Sequence, residues 1–189
     1  MDLEVHILLP YAGGMRRSML LVAMVVCAAS LLTACGPGVS SSVVGMSVDE
    51  AGTPVIVLQN CDGRIAELQF YDLSRPRTDE TPLAPVVMYV NQRPDKAVVQ
   101  IPIQTGGNGW QVQGEPPVLR ADGKYLIQAW GKRHDWSGRG TEFTLGDLKT
   151  VKPGRVRHSS PPAGATPPYD APVKYQVTPL TEFITDKCP

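Results

Sequence analysis

The sequence predicts an all-β domain, an antiparallel sandwich or barrel with one short C-terminal helix. Three observations predict it. Apolar or alternating segments of strand length recur at roughly ten-residue spacing. Gly, Asn and Asp stand between them at turn positions. No long stretch carries the apolar period of an amphipathic helix.

In chain order, Pro54 to Leu58 is an apolar run, and Cys61-Asp62-Gly63 after it has the form of a hairpin turn that needs positive φ. Arg64 to Asp72 alternates, with Ala66, Leu68 and Phe70 on one face and Glu67 and Gln69 on the other. Ser74 to Pro85 is a polar, Pro-rich loop, and Val86 to Val90 is the next strand. Ala97, Val99, Ile101 and Ile103 alternate with Val98, Gln100 and Pro102. Pro102 has no N–H for a ladder, which places this strand at a sheet edge. Gly106-Gly107-Asn108-Gly109 turns into Trp110 to Gln113, and Asp122-Gly123 turns into Lys124 to Trp130. Glu142 to Leu145, then Val173, Tyr175 and Val177, supply the last strand segments. Between them Leu145 to Gly154 holds one helical turn, stopped by Pro153-Gly154. Residues 159–172 are rich in Pro and read as an extended loop. Thr178-Pro179 has the form of an N-cap followed by Pro at the first helical position, so Leu180 to Lys187 is a short helix delivering Cys188.

One segment narrows the class. Leu119 stands six residues before Tyr125, which opens the alternating strand Tyr125-Leu126-Ile127-Gln128-Ala129. This resembles the tyrosine corner of immunoglobulin-like and fibronectin type III domains. The resemblance covers about eleven residues. It implies that the Tyr125 hydroxyl bonds back to the upstream backbone, and that the fold is an immunoglobulin-like antiparallel β-sandwich. The inter-sheet cysteine pair of antibody domains is absent, because Cys188 is terminal.

The N-terminal region carries a different signal. Met15-Arg16-Arg17 is a short basic start, and the 17 residues Ser18 to Ala34 contain no charge, Pro or Gly. A basic segment followed by an apolar one is the layout of an export signal. It ends Leu32-Thr33-Ala34-Cys35, which resembles the lipobox of bacterial lipoproteins. That ending weighs against a permanent transmembrane helix. The resemblance implies cleavage before Cys35 and lipidation of its thiol, a strong nucleophile. Stable anchoring then takes two or more acyl chains. Arg16-Arg17 also loosely resembles a twin-arginine signal, although paired arginines are ordinary in general secretory signals. Asp2 and Glu4 put acid ahead of the signal, so residues 1–14 read as a gene-model extension and 15–34 as the lipoprotein signal peptide. Residues 35–42 read as a flexible tether and 43–189 as the β-sandwich domain.

The lipoprotein resemblance also sorts the four cysteines. Cys27 falls in the removed signal and Cys35 carries the lipid. Cys61 and Cys188 are then two thiols in an exported chain, where disulfides persist, and a Cys61–Cys188 bridge is expected. A two-cysteine metal or redox site would want a CxxC pair and nearby ligands, which the sequence lacks.

Composition excludes several classes. The 189 residues carry 18 Lys+Arg against 18 Asp+Glu, a formal net charge of zero. Such a balance offers no excess cation for a phosphate backbone, so no nucleic-acid partner is expected. Apolar residues make up 42%, too many for a disordered chain. Gly and Pro number 18 each without a collagen period.

Catalytic groups are sparse. His134 and His158 are the histidines beyond the signal, and both read as solvent-exposed loop residues. No spacing gathers the three or four ligands a zinc ion needs, and no metal or cofactor is expected. Ser137 lies outside any G-x-S-x-G elbow. The glycines at 106–109 do not open a helix and read as a turn, not a phosphate loop. Asp79-Glu80 is an adjacent, solvated carboxylate pair rather than two carboxyls facing across a cleft.

The strongest surface candidate is Trp130-Gly131-Lys132-Arg133-His134-Asp135-Trp136, with Trp130, Arg133, His134 and Trp136 as a binding loop. Aromatic and arginine side chains on a rigid scaffold stack on sugars or anchor partners. The competing expectation is that Trp130 packs beside the core while the rest is hydrated. In style the chain resembles small lipoproteins of high-GC Gram-positive bacteria. The expected function is a non-enzymatic binding module, lipid-anchored on the extracytoplasmic face of the cell membrane. Its partners would be the membrane itself and an envelope protein or wall polymer. The alternatives are an envelope enzyme acting on wall polymer or a small molecule, and a structural subunit of an envelope complex.

Overall fold

Alternating and apolar segments become strands in the computed structural model, which describes residues 37–76, 83–160, 173–186 and 188. Among these residues lie eleven strands: β1 Gly38–Val48, β2 Pro54–Asn60, β3 Ile65–Asp72, β4 Val87–Val90, β5 Ala97–Pro102, β6 Gln111–Gln113, β7 Lys124–Gly131, β8 Trp136–Arg139, β9 Thr141–Thr144, β10 Arg155–Ser160 and β11 Lys174–Pro179. Two short helices, α1 Leu145–Thr150 and α2 Leu180–Asp186, and a 3-10 turn at Lys132–His134 complete the described elements. The fold is all-β, a curled mixed sheet.

The sheet has two limbs that meet in β1. In the first, β5 pairs β2, β2 pairs the C-terminal half of β1, and β10 joins β1 to β11, all antiparallel. In the second, β6-β4-β3-β7 is antiparallel, and β7 continues into both β8 and β9. The N-terminal half of β1 lies parallel to β8, with Gly38 opposite Trp136 and Val43 opposite Arg139. Both limbs feed one core. Val44, Met46, Ile56, Leu58 and Ile101 from the first meet Leu68, Phe70, Tyr89, Tyr125, Ile127 and Phe143 from the second. Phe70, Tyr125 and Phe143 form a ring cluster with centroids 5.4 to 6.0 Å apart. β5 pairs β2 alone among the described strands, the edge position that Pro102 requires.

The corner before β7 forms as the motif implies. The Arg120 N–H donates to the Tyr125 hydroxyl at 2.6 Å, and Tyr125 is buried. Gly123 allows this, since a Cβ there would overlap the Tyr125 ring and hydroxyl.

Several expectations need correction. Cys61-Asp62-Gly63 does not close a hairpin: β2 pairs β1 and β5, whereas β3 pairs β4 and β7. Gly63 does take positive φ, at 73°, but the turn carries the chain from one limb to the other. Asn60 acts as a substitute strand at this crossing. Its side chain donates to Ile65 O at 3.0 Å and accepts from Ile65 N at 3.2 Å.

Residues 38–42, expected in a tether, belong to β1. Ser40 and Ser42 are 2% and 0% exposed. Ser40 Oγ donates to Asp62 Oδ2 at 2.9 Å and Ser42 Oγ to Asn60 Oδ1 at 3.2 Å. Serine reads as solvent-seeking only until distant partners satisfy its hydroxyl. Trp136, expected at the end of a loop, opens strand β8, and β10 continues through Ser159 and Ser160. The remainder of the Pro-rich loop, 161–172, lies outside the described residues. α1 is capped by Thr144, which accepts from Asp147 N while Asp147 bonds back to Thr144 N. α2 begins at Leu180, and Pro179 ends β11 instead of opening the helix.

The first limb is covered on its other side too. Phe183 of α2 packs with Val43, Val57 and Val156, joined by Val98 and Leu180. Gln59 Nε2 donates to Ile184 O at 2.6 Å. The Cys61–Cys188 disulfide ties the chain just beyond α2 to the end of β2, with Cα atoms 5.2 Å apart across a sequence separation of 127.

Candidate functional site

The chain leaves β7 at Gly131, makes a 3-10 turn over Lys132–His134 and returns as β8. Arg133 and His134 have φ of 68° and 58°, a left-handed conformation that costs non-glycine residues roughly 1–2 kcal/mol each. Contacts offset that cost. The His134 ring lies 5.0 Å from the Trp130 ring, and its Nε2 is 3.1 Å from Glu67 Oε1 and 3.0 Å from Gln69 Nε2. The strained turn therefore folds His134 back over β3.

Strand alternation supplies the rest. Glu67, Gln69 and Tyr71 share one face of β3, opposite Trp130, Gln128 and Leu126 of β7. The Tyr71 hydroxyl donates to Gln69 Oε1, and Gln69 Nε2 donates to Glu67 Oε1 at 2.5 Å. Gln128 Nε2 donates to Gly138 O at 2.7 Å. The row is thus held by its own hydrogen bonds. Burial raises the Tyr71 pKa above its ordinary value, and the Glu67 charge adds to the rise. The nearby Trp130 indole N–H favours the phenolate, yet it lies outside hydrogen-bond geometry and has no partner.

Of the four residues expected in a binding loop, the fold brings Trp130 and His134 together and leaves Arg133 exposed. Trp136 is engaged elsewhere. The Arg64 guanidinium lies 3.8 Å from its ring centroid, and a Cβ on Gly38 would stand 2.7 Å from the indole. Sequence reasoning missed Glu67, Gln69, Tyr71 and Gln128 as companions of the loop. The Glu67/Gln69 alternation was the available signal, but which strand lies under the turn is set by pairing.

Cys35 lies outside the described residues, as does Asp79-Glu80. His158, expected in an exposed loop, is fully buried in β10. Its Nδ1 is 2.9 Å from Ser159 O, its Nε2 is 3.3 Å from Thr178 Oγ1, and its ring packs 5.1 Å from Phe183. These polar partners and the covering helix are what make that burial tolerable. His158 is therefore separate from the His134 site.

A concave feature of about 300 Å³ opens beside Tyr125, between Asp72, Arg75, Val86, Pro117 and Arg120. The Asp72 carboxylate faces Arg120 Nη2 at 3.3 Å and Arg75 Nε at 3.6 Å, so these three charges are already paired. Among the described residues, no group of three or more His, Cys, Asp or Glu is placed to hold a metal, and no helix is long and apolar enough to cross a membrane.

The geometry defines an all-β chain with a fixed polar-aromatic sheet face. Comparison with protein-family models, curated proteins and solved structures finds no match to the chain.

Proposed function

We propose that the chain is a lipid-anchored envelope protein whose β domain is a non-enzymatic binding or interaction module. It would sit on the extracytoplasmic face of the cell membrane, held through lipid on Cys35, and engage a wall polymer or an envelope protein. The observation that carries the binding role is the Tyr71–Gln69–Glu67–His134 hydrogen-bonded row beside Trp130. A surface that is ordered before a ligand arrives loses little entropy on binding. The Cys61–Cys188 bridge supports an oxidising compartment. The lipobox-like Leu32-Thr33-Ala34-Cys35 supports the anchor.

Three features support an immunoglobulin-like sandwich for this domain. Tyr125 opens β7 at a tyrosine corner. β1 is shared between β2 and β8. β2–β5 and β7–β3–β4 form two limbs around one core. On this reading β10, β11 and α2 are additions to the sandwich.

Growth on labelled palmitate tests the anchor: label should enter the wild-type chain and be lost in Cys35→Ser. Wild-type protein without label would refute it. A second reading, an envelope enzyme, draws on the Glu67–His134 pair, two titratable groups 3.1 Å apart. It predicts soluble fragments released from cell wall by the wild type and none by Glu67→Gln.

A further inference from the structure

Register fixes which side chains share the outward face of β6-β4-β3-β7. One rung across the sheet runs Gln113, Met88, Gln69, Gln128, and the next runs Gln111, Val90, Glu67, Trp130. Neighbours on a rung stand about 4.8 Å apart, and rungs two residues apart along a strand. The alternate residues Leu68, Phe70, Val87, Tyr89, Ile127 and Ala129 point the other way, into the core. Gln111 and Gln113 are exposed, and Met88, Val90 and Trp130 are half-buried.

This face has a distinctive chemistry. Four of its eight positions are glutamine, whose amide both donates and accepts hydrogen bonds. Between the amides lie the apolar surfaces of Met88, Val90 and Trp130. Glu67 is the lone charge on the two rungs, and its Oε1 is already bonded to Gln69 and His134. Along the same face of β7, Lys124 is 2.5 Å from Glu142, so each neutralises the other, and the exposed Lys132 and Arg133 stand in the turn beyond the end of the rungs. An anionic polymer would find no unpaired cation on the two rungs. A polyol with hydroxyls at its edge and C–H groups on its ring face matches the alternation of amide and apolar surface.

We infer that the outward face of β6-β4-β3-β7 binds a neutral polysaccharide, with Trp130 and the glutamine rungs as the contact surface. The assignment rests on the binding-module reading above and names its ligand class. Gln69, buried and tied to Tyr71 and Glu67, forms the floor of this surface, and Gln128 is held in place by Gly138 with its remaining polar positions ordered for hydroxyls. The exposed Gln111 and Gln113 extend the surface to the β6 edge.

The test is affinity electrophoresis of the full chain, solubilised in detergent, through native gels holding dextran, mannan, arabinogalactan or polygalacturonate. At least one of the three neutral polymers should retard the protein, and polygalacturonate should not. Trp130→Ala should weaken the retardation at least tenfold. Because that substitution also touches packing, the exposed pair Gln111→Ala/Gln113→Ala serves as the second variant. It should weaken retardation at least threefold with an unchanged circular dichroism spectrum, while Glu50→Ala, in the β1–β2 turn, leaves it unaltered. Retardation by none of the neutral polymers, or by polygalacturonate alone, overturns the inference, as does full retardation of the double glutamine variant. Palmitate labelling that persists in any of those cases leaves the anchored-protein reading standing. Depolymerised polysaccharide in the track behind the band would instead overturn the non-enzymatic reading.

Discussion

The two limbs of the sheet differ in what covers them. Strand β2, between β5 and β1 in the first limb, reads Pro-Val-Ile-Val-Leu-Gln-Asn and is buried at every position after the first. One face meets the shared core and the other meets Phe183 and Leu180 of α2. Strand β7, at the centre of the second limb, alternates strictly between buried and partly exposed residues. The two sequences already express this difference. A strand covered on both faces reads as an unbroken apolar run, and a strand with one open face alternates. An external helix and a disulfide close one limb, and the other limb keeps an alternating, partly exposed face.

The comparison can be broken most severely at the disulfide. Replacing Cys61 and Cys188 by Ser removes a crosslink spanning 127 residues. In the loop-entropy model this lowers stability by about 5 kcal/mol, read from urea unfolding, with protection of the β2 amides falling first. A variant as stable as the wild type would show that α2 holds the first limb closed without the bridge. Phe183→Ala should cost about 4 kcal/mol by emptying the outer cluster, with the β6-β4-β3-β7 face unchanged in its ligand retention. Gly123→Ala sharpens the contrast at the corner. It should cost about 1–3 kcal/mol, because the added methyl displaces the Tyr125 hydroxyl from Arg120 N.

The smallest effect separates two tyrosines. Tyr89 in the core and Tyr71 on the open face both have raised pKa values, chiefly through burial, from an ordinary value of 10.0. The folded state favours the protonated phenol. That contribution is complete below the ordinary value and is lost as pH rises through the raised one. Unfolding followed above pH 10 should therefore show a loss of stability that Tyr89→Phe reduces more than Tyr71→Phe does. Tyr89→Phe itself costs about 1 kcal/mol at neutral pH, since its hydroxyl donates to Ile103 O at 2.6 Å. Equal alkaline profiles for the two variants would remove the distinction between core and face.

Legibility followed the same division. The alternation of β3 and β7, the edge position of Pro102, the Gly106–Gly109 turn and the Tyr125 corner were all local patterns and were readable. The Asp62-Gly63 turn shows where locality stops: positive φ at Gly63 was legible, whereas the absence of a hairpin was not. The candidate loop was half legible. Trp130 and His134 stand out as residue types, but their contact with Glu67 and Gln69 requires β3 to lie beside β7.

By itself the sequence determined the β class, the period of each strand and the turn chemistry, because these depend on a residue and its immediate neighbours. The tertiary structure alone decided that Ser40 and Ser42 are buried beneath Asn60 and Asp62, that His158 lies under Phe183, and that Trp136 is taken by Arg64. The reason is solvation. Whether a polar or aromatic side chain stays in water depends on partners far along the chain, and composition around it carries no record of them.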